Sequence, residues 1–203
     1  MEHSINKGKQ TFIFAGRSGS GKGTQVELLQ AYIQKLYPDD VVFHYYSGDG
    51  FRKLINGDSY TSKLARDIME KGELHPNFLA VWLWGTDFVQ NLKGGEHIFL
   101  DGCPRARVEA EAMDSAMKFY DRDKPTVILI DVSRETSKQR LIDRKREYDT
   151  LESIERRLNW YDREVLPVIA YYKDNPDYTL LEINGEQPID KVHADIITSL
   201  NLE

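Results

Sequence analysis

Residues Gly16-Arg17-Ser18-Gly19-Ser20-Gly21-Lys22-Gly23-Thr24 follow directly on the apolar run Thr11-Phe12-Ile13-Phe14-Ala15 and lead into a helix-forming stretch. A strand, a glycine-rich loop and a helix in that order confine the chain to folds in which the end of a strand faces an anion. Glycines let consecutive backbone N–H groups converge, and the helix adds the positive end of its dipole. A polyphosphate fits such a nest. Lys22 would reach the transferred phosphate and Thr24 the shell of a metal ion. Ser or Thr commonly comes directly after the Lys in such loops, and here Gly23 intervenes.

The rest of the chain agrees with one domain built around that loop. With 203 residues, 40% of them hydrophobic, it can bury a substantial core. Five β-rich runs, at residues 11–16, 41–47, 97–101, 126–132 and 178–183, alternate with helical stretches, which reads as a parallel sheet wrapped by helices. Behind the loop, Val26, Leu28, Leu29, Tyr32, Ile33 and Leu36 recur at helix-face spacing up to Pro38. Residues 50–93 form a helix-rich segment broken at Gly57, Gly72 and Gly94-Gly95, long enough for a small subdomain between the second and third strands. Trp82, Trp84 and Trp160 read as core residues on helix faces.

Composition narrows the classes of function. A net charge of −6 disfavours a general nucleic-acid surface, so an anion site needs local clustering of Arg and Lys. No apolar stretch approaches the roughly 20 residues of a membrane span. The lone cysteine, Cys103, excludes an internal disulfide, and the opening MEHSINKGKQ lacks the apolar segment of a signal peptide. A reducing cytoplasm is the compartment expected.

Three further motifs make the chain resemble the adenylate kinase family of nucleoside monophosphate kinases over nearly its whole length. Gly21 to Gln25 reads GKGTQ, the family's form of the loop, which accounts for Gly23. Tyr46-Ser47-Gly48-Asp49-Gly50-Phe51-Arg52 resembles the family's STGDxLR, whose Arg binds the phosphate of the monophosphate, a role carried to Arg52. Ile98 to Arg105 resembles its DGFPR strand end. There an apolar strand delivers Asp101, with Gly102 following, at its carboxyl end beside the loop, where Asp101 can hold magnesium through water. Arg105 supplies a rigid forked donor for phosphate oxygens, its approach fixed by Pro104.

The required basic cluster lies between Arg134 and Arg157 and includes Lys145 and Arg156. Arg140 and Arg144 match the family's RLxGR, Arg146 with Asp149 matches RxDD except at Tyr148, and Arg157 matches the arginine of the next helix. The other reading of any one of these is a solvated helix face paired with Asp143, Glu147 or Glu155. The lid is short and carries no cysteines, so no zinc is expected.

Base selection has mixed signals. Asp67 to Pro76 resembles the family's IMxxGxLV pocket wall, which places Met69, Glu73 and His75 at the monophosphate, with Ser47 and Gly48 below. A hydroxyl at Ser47 favours a purine. Glu109 stands where adenylate kinases have Gln, and an ionised carboxylate only accepts hydrogen bonds, which suits GMP or CMP. Cys103 in place of Phe suggests repacking nearby. Leu181 to Pro188 resembles the final strand and turn that touch the ATP adenine through the backbone, which brings in Gln187.

The resemblance therefore implies a P-loop NTPase fold, a three-layer α/β/α arrangement on a five-stranded parallel sheet. Residues 50–76 would form an NMP-binding subdomain and residues 140–150 a short lid within one domain spanning 1–203. It implies a magnesium-dependent kinase acting on ATP and a monophosphate, AMP foremost. A GMP-, CMP- or deoxynucleotide-preferring kinase and an inactive nucleotide-binding regulator are the alternatives. A monomer is expected.

Overall fold

The computed structural model describes residues 8–144, 146 and 149–202. Lys145, Glu147 and Tyr148, named above in the basic cluster and lid, lie outside them, as does the start of the MEHSINKGKQ segment.

Five parallel strands form one sheet. These are β1 (Thr11–Ala15), β2 (Val42–Tyr46), β3 (His97–Asp101), β4 (Thr126–Asp131) and β5 (Thr179–Asn184), in the order β2-β3-β1-β4-β5. Each lies within two residues of a run read from the sequence. The central strands are nearly continuous apolar runs because helices cover both faces. On one side, Phe12, Phe14 and Phe99 pack against Val26, Leu29 and Ile33 of α1 (Lys22–Leu36) and Val192 and Ile196 of α9 (Ile189–Leu200). Ile13, Leu100 and Val127 point the other way. They meet Trp84 and Phe88 of α4 (Asn77–Asn91), Met113 of α5 (Arg107–Phe119) and Val168 and Tyr172 of α8 (Leu166–Asp174). Full burial of a side chain such as Leu29 contributes about 1.5–3 kcal/mol.

The chain leaves β1 for β2, returns to β3 between them, then crosses β1 to β4. The order therefore reverses beside β1, and the crevice outside the carboxyl ends of β1 and β3 is where such sheets take ligands. Pairing of Phe14 with Asp101 sets the aspartate directly beside the loop.

Between β2 and β3 stand α2 (Ser47–Ile55), α3 (Tyr60–Lys71) and α4. Phe51, Ile55, Ala65 and Leu79 give them a small apolar core of their own, separate from the sheet's. The hydroxyl of Ser59 accepts from the Ser62 N–H and caps α3, and Gly72 ends it in the left-handed conformation. On the other side of the crevice α6 (Arg134–Arg144) gives way to α7 (Leu151–Trp160), capped by Thr150. A single π-type turn, Tyr161–Val165, joins α7 to α8, whose first turn contains Pro167.

The three tryptophans do not share one fate. Trp84 and Trp160 are buried, but Trp82 is exposed, which corrects its assignment to the core. At about 100° per residue, positions 82 and 84 of one helix point to nearly opposite sides, so only one can face the sheet.

Candidate active site

The loop closes on itself around Lys22. Its Nζ donates to the carbonyls of Gly16 and Arg17, both at 2.8 Å. Gly16 has φ 140°, and a Cβ there would stand 2.5 Å from the Ile130 carbonyl oxygen, so only glycine lets the loop lie this close to β4. Gly21 precedes α1 and gives it no side-chain cap, so the first N–H groups of the helix remain directed at the loop. Burial pushes the Lys22 ammonium down to about 8, against the pull of Asp101.

Asp101 is itself buried, which raises its carboxyl above the ordinary range even beside Lys22. It approaches Gly23 next to Thr24. A carboxylate and a hydroxyl at the mouth of a phosphate nest are hard oxygen donors of the kind magnesium takes together with phosphate oxygens. Among the described residues no cluster of three or more His, Cys, Asp or Glu is arranged around a metal position.

Across the crevice, α2 and the turn after β3 present two arginines. Arg105 donates through Nε to the Gly102 carbonyl at 2.5 Å and through a terminal nitrogen to Ser47 Oγ at 2.8 Å, and it lies over the Trp160 ring at 5.7 Å. Arg52 pairs with Asp49 at 2.5 Å and stacks over Tyr46 at 5.1 Å. The Tyr46 phenol is buried, which would raise it, yet hydrogen bonds from Arg146 and Arg52 bring it below its ordinary value. One aromatic side chain thus touches an arginine from each side of the crevice.

The basic cluster frames the third side. Arg140 donates to the carbonyls of Gly185 and Ser20, tying α6 and the turn after β5 to the loop. Asp149 accepts from both Arg144 and Arg157, at 3.1 and 2.6 Å, and this pairing holds its carboxyl below the usual range despite partial burial.

These groups line one cavity of about 720 Å³. It gathers Ser18, Gly19, Gly21, Lys22, Gly23 and Thr24 from the loop. Gly48, Arg52, Met69, Glu73 and His75 come from the small helical unit, Asp101, Gly102 and Arg105 from the end of β3, and Arg140, Arg144, Arg146 and Arg157 from the basic cluster. Seven cations around one cavity, in a chain of net charge −6, make it a trap for several phosphates.

Five expected residues do not line it. Gly16 and Ser20 form the back of the loop. The Ser47 hydroxyl donates to the Gly102 carbonyl at 2.8 Å and accepts from Arg105, so it is engaged in orienting the arginine. Gln187 turns its side chain to Asn184 and Asp195. Glu109 is a correction: it is buried in the first turn of α5, and its carboxylate accepts from the Arg105 N–H at 2.6 Å and from the Ala106 N–H. Those donors are orphans of a helix start, and they draw the carboxylate inward from a base. His75 stacks on Phe51 at 3.9 Å and its Nε2 donates to the Ala65 carbonyl; burial lowers it to about 4, so it stays neutral.

Tyr46, His44, Asp49 and Trp160 also line the cavity and were not read as site residues. Two of them left a trace in the sequence: Tyr46 as an aromatic ring where STGDxLR has its first Ser, and Asp49 as that motif's Asp.

A model of the adenylate kinase family matches residues 14–176. Human adenylate kinase isoenzyme 5 is 33% identical over 201 residues, which cover 97% of this chain but 33% of that protein. Adenylate kinase of Prochlorococcus marinus strain AS9601 is 31% identical over 93% of this chain and 97% of its own length. Human adenylate kinase isoenzyme 1 is 30% identical over 99% of this chain and 98% of its own.

Proposed function

As the chain belongs to the adenylate kinase family, and is on that ground a phosphotransferase with a phosphate acceptor, we propose that it transfers the γ-phosphoryl group of ATP to AMP, giving two ADP. The observation that carries this reading is that one cavity gathers the loop and Lys22 together with Arg52 and Arg105.

The loop amides and Lys22 hold the β- and γ-phosphates, releasing Lys22 from the carbonyls of Gly16 and Arg17. Arg52 and Arg105 hold the acceptor phosphate in line, and Arg144, Arg146 and Arg157 neutralise charge that spreads over the group in flight. Thr24 and Asp101 would hold magnesium, which would supply charge neutralisation for the phosphates. No protein nucleophile is needed. Residues 50–76 hold the monophosphate and residues 140–150 cover the donor, which together exclude water that would otherwise hydrolyse ATP.

AMP is favoured over GMP and CMP because Glu109 is engaged by backbone N–H groups and offers no acceptor to an N–H edge. Met69, Glu73 and His75 then form the pocket wall, with His75 neutral. A coupled ADP-release assay with ATP and magnesium against AMP, GMP, CMP, UMP and dAMP tests this. Turnover with AMP foremost supports the assignment. Preference for GMP or CMP that Glu109→Gln abolishes would make Glu109 the base reader and overturn it.

A further inference from the structure

His75 stands where IMxxGxLV has Val, in the short connection between α3 and α4. Pro76 follows and keeps its backbone out of the helical region. The ring is fixed twice. It stacks on Phe51 with 3.9 Å between centroids and 21° between planes, and its Nε2 lies 3.1 Å from the Ala65 carbonyl oxygen. A carbonyl only accepts, so Nε2 carries the proton, and in a neutral imidazole the other nitrogen, Nδ1, is then a bare acceptor. Nδ1 has no hydrogen-bond partner among the described residues, and it is not sealed from solvent as Nδ1 of His193 is.

The surroundings decide what meets that nitrogen. His75 lines the cavity, and the charge of Arg105 is close enough to oppose protonation of the ring, so the imidazole borders the part of the cavity where Arg52 and Arg105 are proposed to hold the acceptor phosphate. Other acceptors on this side are engaged or mobile. Glu109 takes the N–H groups of Arg105 and Ala106, the Ser47 hydroxyl is shared between Gly102 and Arg105, and Glu73 is exposed with its carboxylate in water. His75 keeps an acceptor that is both held in place and unused.

We propose that the His75 side chain is the specificity-determining residue for the acceptor base, its Nδ1 accepting a hydrogen bond from the exocyclic N6–H of adenine. The inference rests on the reading of this cavity as the site of a monophosphate, and it assigns the selection that Glu109, bound to backbone N–H groups, does not perform. Guanine and hypoxanthine carry an oxygen at the same position of the ring, so acceptor would face acceptor and both would lose their water. The amine of cytosine lies one ring closer to the ribose. A purine without the amine leaves Nδ1 unpaired.

Titration calorimetry of AMP, of purine riboside 5′-monophosphate, which lacks the amine, and of IMP tests it, with the donor side filled by the β,γ-imido analogue of ATP. The proteins compared are the wild type, His75→Phe, which keeps a ring against Phe51 but no acceptor, and His75→Val, each checked for folding by circular dichroism. The wild type should bind AMP about 5- to 20-fold more tightly than the amine-free analogue, and IMP more weakly than either. In both variants the affinity for AMP should fall to that of the amine-free analogue, whose own affinity stays within about two-fold of the wild-type value. A side chain that only supports the wall would weaken both ligands alike. Equal weakening of the two, no preference for AMP over the amine-free analogue in the wild type, that preference surviving in a folded variant, or its loss in Glu73→Gln but not in His75→Phe would overturn the proposal. Binding is read without turnover, so a protein that tells these ligands apart through His75 but transfers no phosphoryl group would contradict the kinase reading and sustain this one.

Discussion

Lys22 holds its proton with difficulty in the nucleotide-free protein, and that has a measurable sign. Its pKa is about 8 instead of the ordinary 10.5, so above pH 8 the free protein loses the charge that a polyphosphate needs. Binding ATP restores the charge by drawing a proton from solution. At pH 8.5 titration calorimetry in buffers of different ionisation enthalpy should show uptake of roughly three-quarters of a proton per ATP, and kcat/KM should fall on the alkaline limb. Lys22→Ala should abolish the uptake. The stability effect runs the other way: between about 8 and 10.5 the unfolded chain holds more protons, so this group adds stability as pH rises through that window. Tyr46 is the second residue to test. Its phenol oxygen accepts from Arg52 and Arg146, and Tyr46→Phe keeps the ring while deleting that acceptor. Loss of one such bond should raise the KM for the acceptor by about 5- to 10-fold, with a smaller change in the KM for ATP; equal changes in both would contradict a role on the acceptor side.

Among the elements around the cavity, α3 and α7 meet directly. Trp160 Nε1 of α7 donates to the Gly72 carbonyl at the end of α3, and Arg156 donates to the Lys71 carbonyl. Gly72 has φ 69°, and a Cβ there would lie 2.7 Å from Ser153. Gly72→Ala should therefore lower stability to urea by about 1–3 kcal/mol and raise the KM for the acceptor, because α3 must lift from α7. An unchanged midpoint would show that α3 and α7 part freely. The strands and α1 were legible because their patterns are local: apolar runs bounded by turn residues, and a helix face with a period of 3.6. The loop was legible because its glycines answer a backbone demand. Trp82 was not, because helical period gives the spacing of a stripe and not the side that the sheet covers. Glu109 was misread for a related reason, since only the turn of α5 brings the N–H groups of Arg105 and Ala106 within its reach.

At the scale of the molecule, a parallel sheet sets the loop and Asp101 at the carboxyl ends of adjacent strands, and two helical flanks bring arginines to the same crevice. On the proposed reading each flank engages a different substrate. A ligand that spans both ends, such as two adenosines joined by five phosphates, should stabilise the fold more than ATP or AMP alone; at 100 times its Kd the gain is about 2.7 kcal/mol, or roughly 5–10 °C in Tm. Equal shifts from ATP and from the spanning ligand would mean that only one end binds. The most direct measurement is phosphorus NMR of ATP, AMP and magnesium with the wild-type protein and with Lys22→Ala. The account predicts conversion to ADP without inorganic phosphate, slowed by a factor on the order of 10²–10³ in the variant. ATP bound but never converted, or conversion that Lys22→Ala leaves untouched, would contradict it.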